Sequence, residues 1–309
     1  MTLKYSFKIQ KSGDKEFVPV QKNQRIKLAK QEFAGSKQVQ SILEEMENLV
    51  GLENVKKLIF EIQAYIKIQR KRKDENLATD PLVLHMVFKG NPGTGKTTVA
   101  RCIARLFKEL DVLKKGQVIE IERADLVGEY IGHTALKTRE QIQRALGGVL
   151  FIDEAYSLAR GGEKDFGKEA IDCMVKAMED YKDQLILILA GYRKEMEWFL
   201  QTNPGLRSRF PIHIEFPDYT ITELMEIAEL MLKQRQYRLT PEAKFLLKAT
   251  IQKRILLGQE NSGNARMIRN LIEKAIRLQA VRLIGIKQLS RDDLILITAE
   301  DIDEASQAI

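Results

Sequence analysis

The sequence predicts an α/β fold: a mostly parallel sheet carrying a phosphate loop, followed by a smaller helical domain. Three observations predict it. The stretch Gly90-Asn91-Pro92-Gly93-Thr94-Gly95-Lys96-Thr97 stands between an apolar run of strand length and a helix-spaced pattern. A second apolar run, Gly148-Val149-Leu150-Phe151-Ile152, ends in the adjacent carboxylates Asp153 and Glu154. Strand and helix patterns alternate as far as Pro217-Asp218-Tyr219, and beyond it the patterns are helical.

The first stretch matches G-x-x-x-x-G-K-[ST]. Its glycines let the backbone curl so that successive N–H groups face an anion. Lys96 adds a point charge, and the Thr97 hydroxyl suits Mg²⁺. Upstream, Leu82 to Phe88 reads as a strand; downstream, Thr98 to Phe107 reads as a helix whose N-terminus completes an anion site. A chance match in an ordinary loop would not bring that strand and helix with it. Gly90 to Thr98 are therefore the expected nucleotide contacts.

The second stretch reads as a buried parallel strand with acids at its C-terminal end, where open α/β sheets place ligands. Phosphoryl transfer to water needs one carboxylate in the Mg²⁺ shell and one to polarise the water. Asp153 is assigned to the first task and Glu154 to the second.

The other elements follow in chain order. Residues 1–40 form an appended arm: Tyr5 to Gln10 alternates like a strand, Ser12-Gly13-Asp14 is a turn, and Phe17 to Val20 can pair back as a hairpin. A helix starts near Val39, and Val50-Gly51-Leu52 interrupts it before a second helix, Val55 to Gln69. Val118 to Ile121 is a strand. Ala124 to Thr134 is read as a mobile loop, because Gly128 and Gly132 flank Tyr130 and Ile131. Glycines at 161, 162 and 167 mark another loop, and a helix runs from about Lys168 to Tyr181. Leu185 to Ala190 is a buried strand ending at Gly191-Tyr192. A short helix carries Trp198, Asn203-Pro204-Gly205 breaks the chain, and Ile212 to Phe216 is a further strand. Helices are expected at Ile221 to Gln234, Pro241 to Leu257 and Arg266 to Leu283, with starts at Thr240-Pro241-Glu242 and Thr298-Ala299-Glu300-Asp301. The division is 1–40 arm, 41–216 α/β core and 217–309 helical domain.

Composition narrows the classes. The 309 residues are 44% hydrophobic and 30% charged, a globular balance. No apolar run is long enough to cross a bilayer, and the first ten residues have no signal-peptide core. Cys102 and Cys173 lie far apart within helical patterns and read as buried thiols of a reducing, cytoplasmic compartment. Three histidines and two cysteines offer no zinc spacing. The net charge of +7 comes from 50 basic and 43 acidic groups, mostly intermixed. The cluster at Lys67, Arg70, Lys71, Arg72 and Lys73 suits the end of a helix dipole better than a nucleic-acid platform, since no aromatic residues interleave.

With the loop, the acid pair and the helical C-terminal region together, the chain from about residue 40 onward resembles an AAA+ ATPase: a P-loop NTPase core with a C-terminal helical lid. The resemblance implies ATP and Mg²⁺. It places Val50, Gly51 and Leu52 against adenine. It makes Arg209, in Ser208-Arg209-Phe210, the arginine offered to a neighbouring subunit, with Arg207 in reserve. It makes Arg266, in Gly263-Asn264-Ala265-Arg266, a lid residue reaching the nucleotide in cis.

Glu129 to Thr134, Leu189 to Tyr192 and Asn203-Pro204-Gly205 narrow the resemblance to the branch with the red-type rubisco activases, and within it to sporulation members. That branch implies a homo-oligomeric, hexameric ring. Tyr130, Ile131 and Gly132 would line its pore and pull on a client protein, in spore formation. One departure stands out: the fourth strand ends Ala190-Gly191-Tyr192, without the small polar sensor usual in the wider family. Two other readings are a nucleic-acid loader or motor, permitted by the charge but lacking a motif, and a nucleotide-switched scaffold, disfavoured by Glu154 and Arg209.

Overall fold

The computed structural model describes residues 37–79, 83–130, 132–161, 165–256 and 264–308. The expected arm up to residue 36 lies outside the described residues, as do Ile131 and Gly263.

Five strands form one wholly parallel sheet in the order β2-β3-β4-β1-β5. They are β1 (Met86–Gly90), β2 (Val118–Ile121), β3 (Gly148–Ile152), β4 (Leu185–Gly191) and β5 (Ile212–Phe216). Every residue of β1, β3 and β4 is buried, because helices cover both faces, and that is why these strands read as unbroken apolar runs. The pleat sorts their side chains. Met86, Phe88, Val149, Phe151, Ile186 and Ile188 face one cluster; Val87, Leu150, Ile152, Leu187 and Leu189 face the other.

On the first face lie α1 (Lys37–Glu47), α2 (Glu53–Asp74) and α3 (Lys96–Glu109). The opposite face is covered by α5 (His133–Ala145), α6 (Gly167–Asp180) and α7 (Arg193–Thr202), together with a 3₁₀ turn, Ala155–Ala159. Two short helices complete this part. In α4 (Arg123–Leu126), Glu122 and Asp125 form a capping box; in α8 (Pro204–Arg209), proline takes a first-turn position where its missing N–H costs nothing.

Sequence periodicity missed both short helices, reading the first as loop and the second as a break. It also started β1 too early, since the ladder begins at Met86 and includes Lys89 and Gly90.

The C-terminal region packs α9 (Ile221–Gln234), α10 (Pro241–Leu256), α11 (Asn264–Leu283) and α13 (Ala299–Gln307) around a separate apolar cluster, and the short α12 (Arg291–Ile295) buries no residue. Leu247, Ile268, Leu271 and Ile302 are fully buried there. A two-residue parallel pair, β6 (Arg238–Leu239) with β7 (Leu296–Ile297), closes one side and was not anticipated. Capping boxes at Thr220/Glu223, Ser290/Asp293 and Thr298/Asp301 start α9, α12 and α13.

Asp301 does more than cap. It is 2% exposed and accepts from Arg282 Nε at 3.0 Å and Nη2 at 2.9 Å, and from the Thr298 amide at 2.8 Å. Burial alone would raise its carboxyl, but Arg282 and Thr298 outweigh it and hold the group below the ordinary range. The stabilisation is thus present above the unfolded-state value of about 3.9 and is lost as pH falls through the lower folded value. Asp301→Asn is expected to cost about 2 kcal/mol, discounted from a fully buried pair because Arg282 is part-exposed. Thermal unfolding at pH 7 and pH 3 checks it, with the gap from wild type shrinking at the lower pH.

Candidate active site

The strand order fixes where the chemistry can be. Within the sheet β4 lies between β1 and β3, so the phosphate loop after β1 and the acid pair after β3 are two strand spacings apart, about 10 Å. Gly191, at the end of β4, pairs with Lys89 and stands in that gap. A cavity of about 380 Å³ opens there, at the C-terminal ends of the strands.

The loop is shaped by two left-handed glycines, Gly93 at φ 74° and Gly95 at φ 94°. Gly90 is constrained differently: a Cβ there would stand 2.4 Å from the Phe216 carbonyl oxygen of β5. Thr94 is fully buried and donates to the Asn91 carbonyl at 2.7 Å, pinning the turn from inside. Lys96 reaches back across the loop and donates to the carbonyls of Gly90 and Asn91, both at 2.8 Å. Burial pulls its ammonium below the ordinary range; Asp153 opposes that and Arg266 adds to it.

The cavity wall brings together Gly90, Pro92, Gly93, Gly95, Lys96, Thr97, Thr98, Asp153, Glu154 and Arg266 from the sequence-based set. Asn91 and Thr94 are not on that wall; they brace the loop. Val50, Gly51 and Leu52 are not on it either. Of the three, Leu52 approaches the loop: its Cδ1, like the Tyr219 hydroxyl, lies near Gly95, whereas Val50 packs against the lid cluster. Arg209 lies away from the cavity of its own chain, donating to the Gly205 carbonyl at 3.0 Å and pairing with Glu179. Arg207 is exposed.

Glu154 has a left-handed backbone, φ 47° and ψ 41°, at the turn out of β3. Its amide donates to Asp153 Oδ1 at 3.0 Å, and the Asp153 amide is tied to the Ile121 carbonyl at 2.9 Å. Among the described residues no cluster of three or more His, Cys, Asp or Glu could cage a metal. The donors on this wall, the Thr97 hydroxyl and the Asp153 carboxylate, are hard oxygens. They fit Mg²⁺, which takes one or two protein ligands and fills its octahedron with phosphate and water.

Residues 86–218 match the ATPase family associated with various cellular activities (AAA), and residues 220–308 match the AAA lid domain. Stage V sporulation protein K of Bacillus subtilis (strain 168) is 55% identical over 271 residues, 87% of this chain and 84% of that protein. The chain belongs to the AAA ATPases. Protein CbbX of Cereibacter sphaeroides is 50% identical over 257 residues, 82% of each chain. The chloroplastic ribulose bisphosphate carboxylase/oxygenase activase of Cyanidioschyzon merolae is 46% identical over 269 residues, 86% of this chain and 91% of that one. These relatives place this AAA ATPase in the CbbX/CfxQ branch. The FIGL-1 AAA domain in complex with ADP has the same fold, with TM-score 0.56 and 21% identity over 84% of this chain and 82% of that one.

Several side chains around this AAA site escaped the sequence reading. Arg101 and Arg269 share the wall with Arg266, and Arg269 sits three residues further along the same helix. Asp218 accepts from Asn91 Nδ2 at 2.9 Å and from Asn264 Nδ2 at 2.8 Å, joining the loop to the start of the lid helix. Tyr219 donates its hydroxyl to the Thr94 carbonyl at 3.2 Å, and burial pushes that phenol up to about 12. The only signal was the dipeptide Asp218-Tyr219 itself, read as a boundary and not as a contact.

Proposed function

We propose that this chain is a Mg²⁺-dependent ATPase that assembles as a hexameric ring and remodels a client protein through its central pore, in spore formation. The observation that carries the ATPase part is the single cavity uniting Lys96, Thr97, Asp153, Glu154 and Arg266. The loop amides and Lys96 hold the β- and γ-phosphates, with Arg266 reaching in from the lid. Thr97 and Asp153 hold Mg²⁺, which when bound neutralises charge on the transferring phosphoryl group. Glu154 takes a proton from water as the water oxygen bonds to the γ-phosphorus. The bond from that phosphorus to the β–γ bridging oxygen breaks, and ADP and phosphate leave. Glu154→Gln is expected to bind ATP like wild type and to lose on the order of 10²-fold or more in turnover. Turnover near wild type would remove Glu154 from the role.

Arg209 completes a neighbouring subunit's site. Its pairing with Glu179 does not stand in the way, because an ion pair this exposed is worth only about 0–1 kcal/mol and is readily exchanged at an interface. Lys96→Ala and Arg209→Ala rings are each expected to be inactive. Mixed together they should regain part of the activity, because some interfaces then join an intact Lys96 to an intact Arg209. No recovery in co-assembled rings, with recovery when Arg207→Ala replaces Arg209→Ala, would move the role to Arg207.

The pore reading rests on the segment before α5. Tyr130 is 65% exposed, so it is not a core side chain. The segment is anchored at its base, where the Gly128 amide donates to buried Thr134 Oγ1 at 2.9 Å. Gly132, at φ 83°, has open space where a Cβ would be. An exposed flat ring above a fixed base suits gripping many client side chains without selecting among them. Tyr130→Ala is expected to keep its melting temperature, basal ATPase and assembly, and to abolish spore output. Tyr130→Phe should be mild. Wild-type output from a stable Tyr130→Ala ring would end the threading role.

A further inference from the structure

The cavity wall carries more positive charge than the reaction scheme above uses. Besides Lys96 and Arg266 it holds Arg101 and Arg269. Arg101 is already committed, since its Nε donates to Glu120 Oε1 of β2 at 2.6 Å. Arg269 is exposed, and among the described residues it has no hydrogen-bond or ion-pair partner.

The helix that carries Arg269 fixes where it stands. Met267, Ile268, Leu271 and Ile272 of α11 are buried in the lid cluster, which sets the rotation of the helix. Its first residues are tied to the core. The Ala265 amide donates to the Gly93 carbonyl at 3.1 Å, and Asn264 Nδ2 donates to Asp218 Oδ1 at 2.8 Å. Positions three apart share a helix face, so Arg269 follows Arg266 on the same side, about 4.5 Å further along the axis. Both arginines reach the cavity wall.

That cavity is the terminal-phosphate half of the proposed site. Lys96, the acid pair and the end of β4 bound it, and none of the three residues expected against adenine does. Its sheet side is a poor place for a doubly charged phosphate. Ala190 and Gly191 bring no side-chain donor, Tyr192 carries no charge, and Asp153 and Glu154 repel an anion. Positive charge must come from the loop and from the lid. A guanidinium suits the task, because its planar fork can meet two phosphate oxygens at once.

We infer that the lid contributes two arginines to nucleotide binding, and that Arg269 contacts the terminal phosphate and so distinguishes nucleoside triphosphate from diphosphate. The inference rests on the cavity being an ATP site.

The test uses the full chain with Mg²⁺, a fluorescent non-hydrolysable ATP analogue and fluorescent ADP. Equilibrium affinities are measured at a protein concentration where wild type and variant sediment alike, with melting temperature alongside. Arg269→Gln changes an exposed side chain, so its melting temperature should stay at the wild-type value. It is expected to weaken the ATP analogue about tenfold or more and ADP by no more than about twofold, as for a charged hydrogen bond to one phosphate. Arg269→Lys should fall between, because the charge stays and the fork is lost.

A stable Arg269→Gln protein with wild-type affinity for the ATP analogue overturns the inference. Equal proportional losses for the analogue and ADP also overturn it, since they put the side chain on a phosphate that both share. Impaired ring assembly with both affinities kept would give Arg269 to a neighbouring subunit, and overturns it as well. The underlying reading fails differently: a Lys96→Ala chain that binds both nucleotides like wild type would remove the cavity as an ATP site.

Discussion

One carboxylate joins the two halves of the site. Asp218 accepts from Asn91 in the phosphate loop and from Asn264 at the start of the lid helix. Asn264 also accepts from the Tyr219 amide, and the next amide, Ala265, donates to the Gly93 carbonyl at 3.1 Å. The loop that follows β1 and the helix that carries Arg266 are thereby built on the same few polar atoms. Hydrogen bonds to a charged acceptor are stronger than neutral ones, so this junction is stiffer than a linker of the same length. Where Arg266 lies relative to Lys96 follows from it.

Packing around the junction serves the same end. The Tyr219 ring touches both the core and the lid clusters, and Gly51 must be glycine there, since a Cβ would stand 2.3 Å from Glu223 Oε1. Glu223 is already committed to capping α9 through Thr220. The Val50-Gly51-Leu52 turn, the lid's first helix and the loop's flank therefore meet as one packed corner. Left-handed Leu52, at φ 59°, is the residue that turns the chain into it.

The sequence was most legible where one physical demand dominated. Strands buried on both faces show as apolar runs, and a loop that wraps phosphate shows as spaced glycines. The acids at 153 and 154 were readable as the C-terminal end of a buried strand, and they stand on the cavity wall there. Short elements were not readable. The four residues of α4 and the two-residue strands β6 and β7 are too brief for any periodicity, and Pro204 signals a helix start as well as a break. Contacts across long sequence separations were invisible as well. Nothing local marks Asp218 as the partner of Asn91, 127 residues away in the chain.

The posture of Lys96 has a thermodynamic side. With its ammonium on the carbonyls of Gly90 and Asn91, the lysine serves as the loop's own internal counterion. Those carbonyls are satisfied and the curl is already set, so the entropy of ordering the loop is spent during folding and not at the moment of capture. Under the proposed function, binding is an exchange: phosphate oxygens compete for an ammonium that already has partners. The free energy of capture is then a difference between two bonded states.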